Sequence, residues 1–274
     1  MIHSILIIFI VSITLSTLLY IYIRKKTGIR SRFLFIDNPL VFSFSLITGI
    51  LLYYTVFHQR LLLSIIVVAI MIPVFVLTLT MIRFWHAPSR QCDADDSDIV
   101  SPADGKIIYI KKLTEREEPL SLKDGKISRL TELTKTDLLS TPCWLLGINM
   151  TPFDVHKNSA PVSGKIVFSK HLSGKFLSLK SALSESENER HTIVIQRNNL
   201  YIGVIQIASR LIRRIDTYIK EGDSIERGKW YGMIRLGSQV DIIFPGNYKP
   251  VINLMQQVYA GKTIIAKIDH ETSD

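Results

Sequence analysis

The sequence predicts N-terminal transmembrane helices followed by a β-rich (α+β) domain, with hairpins that turn on glycine as in sandwiches and barrels. Three observations predict it. The first third of the 274 residues is made of three long apolar runs. From Ile99 onward the pattern changes to short β-branched stretches cut by Gly, Asp and Pro. The formal charge of +9 is also uneven: residues 1–90 hold eight Lys and Arg against Asp37 alone, whereas residues 91–274 hold 25 basic and 23 acidic residues. Basicity confined to the apolar third points to a membrane rather than to nucleic acid.

Composition excludes other classes. A hydrophobic content of 47% is too high for a disordered chain. Cys92 and Cys143 stand far apart and outside any CxxC spacing, which supports neither a disulfide framework nor a zinc site. There is no HExxH and no paired ligand cluster, so no metal is predicted.

Residues 2–23 are uncharged and close to the roughly 20 residues that a helix needs to cross a hydrocarbon core. Arg24, Lys25 and Lys26 follow the run, whereas a signal peptide carries its basic residues before a shorter apolar stretch, so the segment reads as an uncleaved anchor. Two further runs, 39–57 and 61–82, are separated only by His58, Gln59 and Arg60 and predict an antiparallel hairpin. With the basic loop 24–32, Arg83 and Arg90 on one side, the positive-inside rule predicts a multi-pass protein of the cell membrane with its C-terminal domain in the cytoplasm. A hairpin over 39–82 that re-enters, helped by Pro39 and Pro73, is the alternative. The domain organisation is then a membrane anchor over 1–90 and a second domain over 91–274, after an acidic link at 91–98.

In that second domain, strands are predicted at 106–110, 164–168, 192–196, 204–207 and 240–244. Residues 113–141 are polar and aperiodic and read as a long surface excursion with one short helix. Helix is otherwise most plausible at 208–219 and 178–185. Glycine turns recur in Ala103-Asp104-Gly105, in Pro161-Val162-Ser163-Gly164 and around Gly222 and Gly228. Lipoyl-type and membrane-fusion adaptor domains use such turns for structure alone. A membrane-tethered adaptor module without catalysis is therefore the competing class.

Three polar residues beside those turns are not explained by an adaptor: Asp104 in Ser-Pro-Ala-Asp-Gly, His156 in Phe-Asp-Val-His, and Ser238 after Gly237, just before an apolar strand. Acid, imidazole and hydroxyl are the parts of an activated-serine system. A membrane serine hydrolase is a third reading of the same residues.

The wording around these residues is less common. Ser-Pro-Ala-Asp-Gly at 101–105, Phe-x-Val-His-x4-Pro-x2-Gly at 153–164, Asn188-Glu189-Arg190, and Gly237-Ser238 followed by Val240-Asp241 and Pro245 occur in this order. Together they resemble the phosphatidylserine decarboxylase family, over about residues 83–274. The resemblance implies self-processing: Ser238 attacks the Gly237 carbonyl, His156 is the base and Asp104 orients it. Cleavage between Gly237 and Ser238 would give a β chain, 1–237, and an α chain, 238–274, whose first residue becomes a covalent pyruvoyl cofactor. That group would serve as electron sink in converting phosphatidylserine to phosphatidylethanolamine and carbon dioxide, with no metal. The implied partners are phosphatidylserine in the membrane and the two chains of one precursor, with room for a homo-oligomer and no role for nucleic acid. Archaetidylserine is the alternative substrate. The sequence departs from the pattern at Gln239, at the segment 83–90 and in the 113–141 excursion.

Overall fold

A computed structural model describes residues 2–57, 60–86, 88–114, 120–121, 127–128, 130–174, 188–208, 214–235 and 238–269. The chain divides into two compact units, residues 1–84 and 85–274.

The first unit is helical: α1 (Ile2–Thr27), α2 (Arg32–Thr55) and α3 (Leu61–Trp85) are each long and apolar enough to cross a membrane. Each buries a single row at intervals of four, the spacing that stacks side chains along one helical face. The rows are Ile8, Ser12, Ser16 and Tyr20 on α1, Phe33 to Tyr53 on α2, and Ser64 to Phe84 on α3. Small residues in the rows allow close approach. At Gly49 a Cβ would lie 2.5 Å from Val68 Cγ2 and 3.1 Å from Ile8 Cγ2, so the three helices meet there. The other faces leave large apolar side chains exposed, among them Leu18, Phe44, Ile47, Leu62 and Leu77. All three helices differ from the expected limits. The second begins at Arg32 rather than at 39, and within the added turns Asp37, fully buried, is paired with Nη1 and Nη2 of Arg83. Pro39 and Pro73 lie inside continuous helices.

The second unit is β-rich. In chain order it comprises β1 (Ile99–Val100), β2 (Gly105–Leu113), β3 (Leu120–Ser121), β4 (Ile127–Ser128), α4 (Leu130–Thr134), β5 (Cys143–Met150), β6 (Lys157–Ser159), β7 (Gly164–Leu172), β8 (Arg190–Arg197), β9 (Leu200–Ala208), β10 (Ile215–Thr217), β11 (Ser224–Ile225), β12 (Trp230–Ile234), β13 (Ser238–Pro245), β14 (Tyr248–Pro250), β15 (Gln257–Val258) and β16 (Ile264–Ile268). Eight strands form the main antiparallel sheet in the order β11-β7-β8-β9-β13-β5-β2-β15. Two three-stranded sheets, β1-β16-β14 and β10-β12-β6, and the β3-β4 pair complete it.

Strands β8, β9 and β13 are buried along most of their length, polar residues included, because the sheet is covered on both faces. Ile193, Ile195, Val204, Val240, Ile242 and Phe244 face the larger core. Val194, Ile205, Ile207 and Ile243 face a smaller one with Leu113, Leu130, Leu133 and Leu139. Each fully buried Ile or Leu contributes about 1.5–3 kcal/mol by area.

Two expectations are corrected. The stretch 113–141 is not wholly a surface excursion, since Leu130, Leu133 and Leu139 help to close the second core. The helix expected at 208–219 is replaced at its ends by strand: Ala208 ends β9, and Ile215–Thr217 is β10, paired with Gly232, Met233 and Ile234. Asp216 is held there between Arg214 and Arg235 at 2.7 and 2.8 Å, a pairing across strands that local helix propensity does not register. The helix expected at 178–185 lies outside the described residues.

Candidate active site

Ser238 opens β13, the fifth strand of the main sheet, and is paired in register with Met150 at the end of β5 and Ala208 at the end of β9. Its backbone is thus fixed from both sides. Alternation along the strand puts its side chain on the face of Val240 and Ile242, against the larger core, and the residue is fully buried. The hydroxyl donates to Met150 Sδ at 3.2 Å. A thioether is a weak acceptor, so the desolvated proton is only loosely held. Gly237 lies outside the described residues.

His156 is positioned by the turn after β5. The Asp154 carboxylate accepts from Thr151 N–H at 2.9 Å and Thr151 Oγ1 at 2.7 Å, and the Asp154 N–H returns to the Thr151 carbonyl at 2.9 Å. This side-chain-closed turn is what Thr-x-x-Asp favours. It delivers His156 immediately before β6, where Ile234 N–H donates to the His156 carbonyl at 3.2 Å. The ring is fully buried, and Nδ1 stands 2.8 Å from the Asp154 carbonyl oxygen. A carbonyl can only accept, so Nδ1 carries the proton and the neutral ring has its lone pair on Nε2. Burial pushes the pKa down to about 4, against the smaller opposing effect of Asp154. At neutral pH the imidazole is therefore in the form a general base requires.

Asp104 lies 2% exposed at the head of β2. Arg90 binds it through both oxygens, with Nη2 to Oδ2 at 2.8 Å, and the Ala260 N–H donates to Oδ1 at 2.9 Å. The loop is pinned by Ser101 N–H to the Thr263 carbonyl and Gly261 N–H to the Ser101 carbonyl, both 2.8 Å. Gly105 follows because a Cβ there would stand 2.4 Å from the Asn149 carbonyl oxygen.

The starts of β2 and β13 and the ends of β5 and β9 share one end of the main sheet, so topology gathers the Asp104 loop and Ser238 there. His156 comes to that end through its bond with β12, three residues before position 237. The Asp104 carboxylate bonds to Arg90 and Ala260, while His156 Nδ1 bonds to Asp154.

Several supporting residues were not singled out from sequence. Arg90, Met150 and Asp154 each touch a site residue directly; Asp154 alone had a local signal, the Thr-x-x-Asp turn. Beside them, Gln206 Nε2 donates to Asn158 Oδ1 at 2.8 Å, Gln206 Oε1 meets His191 Nδ1 at 3.2 Å, and His191 Nε2 meets Ser169 Oγ at 3.0 Å. Asn188, from the Asn-Glu-Arg motif, donates to the carbonyl of Ala208, the residue paired with Ser238. Among the described residues no group of three or more His, Cys, Asp and Glu is arranged to hold a metal.

The chain resembles known proteins over this unit and, for one relative, well beyond it. The sequence profile of the family described as phosphatidylserine decarboxylase matches residues 77–266. A protein of Methanocaldococcus jannaschii, provisionally named an archaetidylserine decarboxylase proenzyme, is 40% identical over 190 residues, covering 69% of this chain and 90% of that protein. A phosphatidylserine decarboxylase proenzyme of Cytophaga hutchinsonii is 35% identical over 243 residues, 88% of this chain and 97% of the relative. Another, of Pelobacter propionicus, is 34% identical over 193 residues, 70% and 78% of the two chains.

Proposed function

Because this chain belongs to the phosphatidylserine decarboxylase family, we propose that it is a self-processing carboxy-lyase that converts phosphatidylserine to phosphatidylethanolamine and carbon dioxide. Family membership does not favour the non-catalytic adaptor reading. The observation that carries the proposal is Ser238: a fully buried hydroxyl whose acceptor among the described residues is a thioether, on a backbone held by strands on both sides.

In the processing step His156 Nε2 takes the Oγ proton as Ser238 Oγ bonds to the Gly237 carbonyl carbon. The Gly237–Ser238 C–N bond then breaks as the imidazolium gives that proton to the departing nitrogen, leaving an ester to Oγ and a free amine on residue 238. Elimination of the ester and hydrolysis with loss of ammonia convert residue 238 into the pyruvoyl group. Fixed Nδ1 protonation at the Asp154 carbonyl favours this role, since it leaves Nε2 as the proton acceptor. The imidazolium so formed adds a positive charge to a buried region, and Asp104, whose carboxylate is already paired with Arg90, is our candidate for the acid that orients the imidazole.

A pyruvoyl group fits the residues present, because its carbon skeleton is that of residue 238, which is held by strands on both sides, and its formation needs in addition one water for the hydrolysis. When formed, it supplies the electron sink that loss of carbon dioxide from a serine head group needs. Around it, β5 and β9 hold the strand, the larger core excludes water, and His156 handles the proton that replaces the carboxylate.

We further propose that the three apolar helices make the protein multi-pass, with Arg24, Lys25, Lys26, Arg83 and the catalytic unit on the cytoplasmic side. An acyl-chain substrate then stays in the bilayer while its head group is processed.

Intact mass of the purified full chain tests the central reading. The expected result is a cut between residues 237 and 238, a blocked terminus on the fragment beginning at 238, and carbon dioxide release from phosphatidylserine micelles. An uncut, inactive wild-type chain would sink the proposal.

A further inference from the structure

A cavity of about 620 Å³ opens in the second unit on the opposite side of β6 from the buried His156 ring. Its size is that of a small-ligand site. Alternation explains the division: His156 and Asn158 are fully buried, whereas Val155 and Lys157 line the cavity. Arg90, the partner of Asp104, forms another wall, so the cavity borders both the imidazole segment and the carboxylate loop.

Among the described residues four cations line it, Arg90, Lys157, Arg227 and Lys229, and no acidic side chain does. Two are already neutralised, Arg90 by Asp104 and Lys229 by Glu226 at 3.7 Å. The other two have uncharged partners. Lys157 Nζ lies over the Trp230 ring at 4.1 Å from its centroid, and the Arg227 guanidinium donates to the Ala94 and Asp95 carbonyls. These contacts fix the groups without cancelling their charge. The floor is bare backbone: Gly228 and Gly261 have φ of +81° and +67°, and a Cβ on Gly261 would come within 3.1 Å of Gly228 Cα. Their amides are spent on the Ala160 and Ser101 carbonyls, so an anion would be met by side chains.

We propose that this cavity is a phosphate subsite, with Lys157 and Arg227 as its binding residues and Trp230 and the glycine floor setting its shape. The ligand class is a phosphate mono- or diester. Resting on the function proposed above, one source is the phosphodiester of a lipid head group, which would lie across β6 from the His156 ring. Free inorganic phosphate is the other source of the same chemistry.

The test uses the full chain in detergent carrying Ser238→Ala, so that binding is read without turnover. Glycerophosphoserine and inorganic phosphate are titrated separately by calorimetry, before and after adding Lys157→Gln or Arg227→Gln; thermal melting checks that each variant is folded. Loss of one charge-assisted contact should weaken binding about tenfold, with Lys157→Arg restoring part of it. In the active chain the same substitutions should raise KM for phosphatidylserine by a similar factor. Weakened glycerophosphoserine binding supports the head-group source, and weakened phosphate binding alone supports a free-anion site. Binding of neither ligand, or binding that both substitutions leave unchanged, overturns the proposal. A wild-type chain without decarboxylase activity would instead overturn the function while leaving the calorimetry to decide the subsite.

Discussion

Arg90 holds the carboxylate of Asp104 by both oxygens while a second bond from its Nη1 reaches the Ala260 carbonyl at 2.9 Å. Both side chains are shielded, 16% and 3% exposed, so removing one partner strands the other in a poorly solvated place. Arg90→Ala should therefore cost about 3–5 kcal/mol in urea unfolding. Combining it with Asp104→Asn should recover part of the loss, since no charge is then abandoned. Equal, additive losses would show that the pair is not coupled.

Processing has a sharper signature. Ser238→Ala and His156→Ala are expected to remain single chains on a denaturing gel under conditions where the wild type is cut. Cleavage between 237 and 238 in Ser238→Ala would mean that another group is the nucleophile. Asp104→Asn should slow cleavage, and full-speed processing in that variant would remove Asp104 from the chemistry.

The pH dependence follows from burial of His156. Its folded pKa, about 4, lies below the ordinary 6.5. The unfolded chain thus binds more protons between these values, and stability must fall as pH drops from about 6.5 to about 4. The loss amounts to roughly 3 kcal/mol if the imidazole behaves independently. His156→Asn should flatten that part of a melting-temperature profile. The acid limb of self-cleavage should sit near 4, and a midpoint near 6.5 would contradict the buried neutral base.

Gly105→Ala offers a steric test. The added methyl would stand 2.4 Å from the Asn149 carbonyl oxygen, backbone that cannot swing aside. The two strands must then part, at a cost of about 1–3 kcal/mol. Because Asp104 precedes the displaced residue, self-cleavage should slow as well, which a thermal melt and a gel time course would register together.

In the helical unit, the Asp37–Arg83 pair predicts a similar asymmetry. Asp37 is fully buried and paired with Arg83 of α3, so Arg83→Ala should lower the melting temperature in detergent more than Asp37→Asn/Arg83→Gln. An unchanged melting temperature in Arg83→Ala would show that the carboxylate has another counter-charge.

The apolar runs and β-branched stretches were legible in sequence because each follows a local rule of length or period. The limits of α2 were not: Asp37 looks like a break until Arg83, 46 residues later, is folded against it. The same applies to β10, whose Asp216 is held by Arg235 from the neighbouring strand. In the candidate site, Asp104, His156 and Ser238 were recognisable by their neighbours in the chain. Arg90, Met150 and the Asp154 carbonyl were hidden, since their importance comes from tertiary proximity and, for the carbonyl, from an atom every residue has. The cavity cations Lys157 and Arg227 are 70 residues apart and carry no motif.

Ser238 heads a strand clasped on both sides, by β5 and β9. A cut at its amino side would therefore open the chain without freeing either piece. The fragment beginning at 238 also supplies β14 and β16, which close a separate sheet with β1, and β15, which edges the main sheet beside β2. Separating the two products would require tearing out an internal strand of the main sheet. Maturation of this kind is irreversible as covalent chemistry yet silent as architecture: the two pieces of the second unit would unfold together and, once denatured, would have lost the continuous chain that first guided their folding.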